Sequence, residues 1–120
     1  MTRLIFHITT AAEWEAARST GALAPPSLAA EGFVHCSSPT QVGRVADWFY
    51  REVPDLVLCC IDPVRLTAPV RWEPSADVLA GDFPHVYGPL DVDAVVLVIP
   101  WTRGPDGFSL PDEVHHLLDG

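Results

Sequence analysis

Apolar and polar positions divide the chain into short strands and two early helices. Arg3–Ile8 is apolar and rich in β-formers, which reads as a strand. Thr10 then offers an N-cap with Glu13 as its capping-box partner, so a helix is expected over Ala11–Ser19, stopped at Gly21. Pro25-Pro26-Ser27 reads as loop and Gly32–Cys36 as a second strand. Ser38, Pro39 and Gln41 form a Ser-x-x-Gln box with proline at the first helical position. Val42, Val45, Ala46 and Phe49 follow at i, i+3, i+4 and i+7, the stripe of a half-buried helix in which Gly43 is a mild cost.

The second half carries most of the strands. Leu56–Ile61 is a continuous apolar run, the signature of a central strand covered on both faces. Asp62–Leu66 reads as a single turn, and Val70–Glu73 and His85–Tyr87 as further strands. Ala94–Ile99 is expected to be a last buried strand, stopped by Pro100. Beyond it, Gly104-Pro105 and Asp106-Gly107 mark turns, and a short helix is expected from Asp112. Long helices are missing from the second half, so serial βα units do not fit. The fold class expected is α+β: one domain over 1–100, with a tail over 101–120.

Composition narrows the class. The 120 residues suffice for one domain, and 48% hydrophobic content supplies a core. The net charge of −9 repels phosphate backbones, so a nonspecific nucleic-acid binder is not expected. All seven basic residues are arginines, which clamp anions better than lysine and keep a local anion site open. Cys36, Cys59 and Cys60 are odd in number, and the adjacent pair should face opposite sides of a strand, so no disulfide framework is expected. No signal-like segment and no long apolar stretch is present; a cytoplasmic protein without a membrane span is the expectation.

Candidate chemistry gathers on three histidines beside strand-like runs: His7, His35 and His85. His7 is either a core imidazole bonding a carbonyl or a ligand-facing one. His35 leads through Cys36, Ser37 and Ser38 into a helix start, a setting for an anion. There Cys36 is either a small buried thiol or a nucleophile of lowered pKa. In an extended segment His85 and Tyr87 share a face. Glu73 is either a base or a solvated strand end, and Asp62 and Arg65 are a candidate pair. Three imidazoles can also hold a metal, but no HxH or HxxxH spacing supports it, and no metal site is assigned.

Phe6-His7-Ile8-Thr9-Thr10, Trp14-Glu15-Ala16-Ala17, Ser27-Leu28, Glu31–Ser37, Val70-Arg71-Trp72-Glu73 and Phe83–Leu90 form an ordered set from about Arg3 to Pro100. Together they resemble the bacterial domain-of-unknown-function 952 family. That family is similar in fold to ADP-ribosyltransferases, including the RNA 2′-phosphotransferase branch. The resemblance implies a split, mixed, mostly antiparallel sheet with a cleft for NAD- or ADP-ribose-like nucleotides. It implies that His7 holds a ribose and that His35 contacts nicotinamide, with His85 and Tyr87 at a third position where true transferases carry glutamate.

The reading is a cleft lined by His7, His35 and His85, with Tyr87, Ser37, Arg65 and Arg71 as ligand-binding candidates. It has NAD as candidate substrate and a transferase or hydrolase activity. The rivals are a non-catalytic binding module and a metal-assisted hydrolase using the three histidines.

Overall fold

The computed structural model describes residues 3–75 and 81–119. In chain order the strands are β1 (Ile5–Thr10), β2 (Ala22–Leu23), β3 (Val34–His35), β4 (Leu56–Ile61), β5 (Val70–Pro74), β6 (Asp82–Val86), β7 (Leu90–Asp91) and β8 (Val95–Pro100). The helices are α1 (Ala11–Thr20), α2 (Pro26–Glu31), α3 (Val42–Phe49) and α4 (Asp112–Asp119). Two three-stranded sheets, in the orders β1-β4-β8 and β3-β6-β5, are accompanied by the pair β2-β7. Every pairing among them is antiparallel, so the mixed sheet expected is not seen among the described residues.

Strand β4 explains its own sequence. It lies between β1 and β8, and all six residues are buried. Leu56, Leu58 and Cys60 face a cluster with Phe6, Val42, Ala46, Trp101 and Val114. Ile61 faces the opposite cluster, with Ile5, Ala17, Val34, Val86 and Leu90. Cys59 and Cys60 therefore divide between the two faces, and all three cysteines are free thiols.

Local signals hold where the backbone demands them. Thr10 caps α1 by accepting from the Glu13 amide, and Gly21 ends it at φ 92°. The two proline signals exchange roles. Pro26 opens a helix where a loop was expected, because its ring presets a helical φ at the first position. Pro39 does not: α3 starts only at Val42, after a turn in which the Ser38 amide donates to Gln41 Oε1 at 2.9 Å. Only that half of the reciprocal box forms. Gly32, at φ 87°, is the C-cap of α2, so the strand after it is shorter than expected. Strand β8 is not buried as expected: it is an edge, with Ile99 its one buried residue and Pro100 within it, as edges tolerate.

The two larger sheets meet at one bridge, Phe6 with Ser37, whose backbone amides and carbonyls exchange bonds of 2.8 Å. Past that bridge β1 and β3 part. This fork positions the site.

Candidate functional site

Sequence alternation builds one wall of the site. In β3-β6-β5, Val34, Val86 and Val70 turn toward the core, so their neighbours turn the other way. His35 pairs with His85, and His85 with Arg71, which puts these side chains on one face with Glu73, Phe83 and Tyr87. Phe33 joins them. Its ring stacks on His85 at 4.1 Å between centroids and meets His35 edge-on at 4.8 Å. The two imidazole centroids are 5.5 Å apart.

His85 is buried, and its Nδ1 donates to Glu73 Oε1 at 2.9 Å. The Tyr87 hydroxyl donates to the same oxygen at 2.5 Å. These two bonds, the tyrosine's first, hold the Glu73 carboxyl below its usual range. Glu73 is then an acceptor at neutral pH, and the His85 hydrogen must sit on Nδ1. In the neutral ring Nε2 carries a lone pair, the geometry of an oriented general base. The bond to Glu73 in turn raises the Tyr87 phenol. Arg71 lies over the Tyr87 ring at 5.0 Å.

His35 is half-exposed and carries a second carboxylate partner. Its Nε2 lies 2.6 Å from Glu31 Oε2, across the Gly32 cap of α2.

His7 answers a need of the fork. At the split the His35 carbonyl points toward β1 without a strand partner, and a partly buried carbonyl left unpaired is costly. His7 Nδ1 donates to it at 2.8 Å. Burial lowers the pKa of this imidazole, so the ring is neutral and Nε2 is left as an acceptor.

Two hollows adjoin these residues. One, of about 270 Å³, is walled by His35, His85, Cys36 and Ser37 together with Phe49, Tyr50 and Phe83. The other, of about 250 Å³, lies between β1 and α2 and is bordered by His7, Thr10, Glu13, Ser27, His35 and Tyr50. His35 and Tyr50 border both. The three histidines thus do not surround a single opening; His35 joins the hollow of His85 to that of His7. Among the described residues no group of three or more histidine, cysteine or carboxylate side chains is arranged to hold a metal ion.

The other candidates scatter. Ser37 borders the His85 hollow while its backbone holds the bridge to Phe6. Arg65 pairs with Asp62 at 3.4 Å on the turn Pro63–Arg65 and borders neither hollow. Cys36 is not an activated thiol: burial, then the neighbouring Cys59, pushes its pKa up. Sequence reasoning missed Glu31 and Phe33, and left Glu73 undecided. Glu73, on β5, supplies the carboxylate beside His85 and Tyr87. The signal was the shared alternation of Phe33-x-His35, Arg71-x-Glu73 and Phe83-x-His85-x-Tyr87.

A family model described as a protein of unknown function (DUF952) matches residues 8–98. The chain belongs to the DUF952 family. The crystal structure of protein CC0527 from Caulobacter crescentus is similar to this DUF952 chain at a TM-score of 0.79 and 31% identity, covering 96% of this chain and 98% of that one. The solution NMR structure of CC0527 gives 0.74 and 31%, with 98% of each chain covered. No curated protein matches the chain. Among the described residues of this DUF952 member, no helix is long and apolar enough to cross a membrane.

Proposed function

We propose that the paired hollows bind a small ligand made of a ring and a sugar, such as the nicotinamide–ribose half of an NAD-like nucleotide, and that His85 assists cleavage or transfer at the bond between them. The observation that carries this reading is the His85 imidazole, fixed by Glu73 and bordering a half-open, aromatic-walled hollow. Phe49, Tyr50 and Phe83 offer faces for a planar ring. In the adjoining hollow, His7 Nε2 accepts from a ribose hydroxyl, with Thr10, Glu13 and Ser27 as further partners.

Charge sharpens the choice of ligand. No arginine borders either hollow among the described residues, while carboxylates stand behind both imidazoles. Such a site offers little to a pyrophosphate and favours a centre that gains positive charge. Cleavage of a glycosidic bond passes through an oxocarbenium-like state, which carboxylates stabilise. The phosphate-bearing half of a dinucleotide therefore lies outside the hollows, where Arg71 is the available cation beside Tyr87.

Calorimetry with nicotinamide riboside, NAD and ADP-ribose tests the reading, with turnover followed by release of the ring. The riboside and NAD are expected to bind, and His85→Gln to lower turnover by about 10²–10⁴-fold while changing binding little. Absence of binding by all three ligands contradicts the proposal.

A further inference from the structure

The pair Glu31–His35 has no use in a one-histidine mechanism, and it contributes little to stability. Both side chains are half-exposed, so solvent screens their attraction. Yet it repeats the carboxylate–imidazole pairing of Glu73–His85 on a second ring packed against Phe33, through Nε2 rather than Nδ1. The two imidazoles border one hollow, each with one nitrogen turned to a carboxylate and the other left for chemistry. We infer that His35 is a second catalytic residue, a general acid held by Glu31, and that the substrate is a neutral N-riboside whose departing base needs a proton.

The inference rests on the reading of the cleft given above and follows from proton balance. In hydrolysis a water oxygen bonds C1′ as the C1′–N bond breaks, and the electron pair of that bond goes to the base nitrogen. His85 takes the proton released by water. With a nicotinamide cation the departing pair cancels the ring's own charge, so no proton is required and one histidine suffices. With a neutral purine or pyrimidine nucleoside the departing nitrogen becomes anionic unless it is protonated. His35 donates that proton, and solvent restores both rings to their starting states. Two carboxylate-backed imidazoles on one hollow match the second ledger. The absence of arginine from the hollow among the described residues agrees with an uncharged substrate.

Leaving-group dependence tests this directly. The unmodified protein is assayed on adenosine, on inosine, on NAD, and on p-nitrophenyl riboside, whose phenolate departs without a proton. Release of the base from a nucleoside is expected, and His35→Gln is expected to slow it by about 10²-fold or more. On p-nitrophenyl riboside the same substitution should cost at least tenfold less. Glu31, a positioning residue, should show the same split in Glu31→Gln at smaller amplitude; a merely structural role would slow both substrates alike. The split supports the inference. Equal loss on both substrates, cleavage of NAD with none of the nucleosides, or no cleavage at all overturns it. NAD cleavage alone would leave the broader reading of the cleft standing, whereas failure of every ligand to bind removes both.

Discussion

His7 ties one ring nitrogen to the fold and borders the second hollow. Nδ1 closes the orphan carbonyl of His35 at the fork. Its folded-state pKa lies below the ordinary histidine value of 6.5, because burial penalises the charged ring. The sign follows: stability linked to His7 is fully present above about 6.5 and is lost as pH falls from there through the folded value. His7→Asn keeps an amide donor near the position of Nδ1 and does not titrate. Urea unfolding between pH 7.5 and 5 should show a steeper loss for the unmodified protein, by up to about 1.4 kcal/mol per pH unit. Parallel slopes for the two proteins contradict the assignment. Sequence alone left His7 with both readings open; the fold shows the carbonyl bond, and the ligand-facing role belongs to the proposal. No local pattern could reveal the orphan carbonyl, which arises from two strands parting 28 residues apart in the chain.

Elements were most legible where one periodicity ruled. The apolar run of β4, the cap of α1 and the Val42–Val45–Ala46 part of the α3 stripe each follow from side chains within a few residues, whereas Phe49, expected on that stripe, is exposed and borders the His85 hollow. Elements were misread where a distant partner decides. Pro26 and Pro39 carry the same local signal, yet only Pro26 starts a helix. Gly43 looked like a helix weakness, but a Cβ there would lie 2.8 Å from the Phe108 carbonyl oxygen. The glycine lets α3 approach the segment after β8, where Asp47 also accepts from the Phe108 amide at 2.9 Å. Gly43→Ala is therefore expected to destabilise by about 1–3 kcal/mol in urea titrations, despite alanine's advantage of about 1 kcal/mol in a helix. A gain in stability would show that the contact yields. The functional face of β3-β6-β5 was half legible: alternation placed His85 with Tyr87, and the same rule extended to β5 reaches Glu73.

At the scale of the molecule, two antiparallel sheets meet at one bridge and then diverge, and the chain lines the gap with imidazoles. The segment beyond β8 belongs to this body. Trp101 and Val114 are buried with Phe6 and Leu58, and Trp101 Nε1 donates to Ser109 O at 2.8 Å. Net charge was legible at once and carried a consequence: with −9 overall and no arginine on either hollow among the described residues, the ligands proposed are neutral or cation-forming. Which histidines share a hollow was not legible, because that depends on how far the sheets part. The most direct measurement is a ¹H–¹³C correlation spectrum of the five histidine rings during titration with adenosine and with nicotinamide riboside. The account predicts saturable shifts of His35 and His85 together, with His115 and His116 on α4 unmoved. Rings of His35 and His85 that stay in place at millimolar ligand, or all five drifting alike, would contradict it.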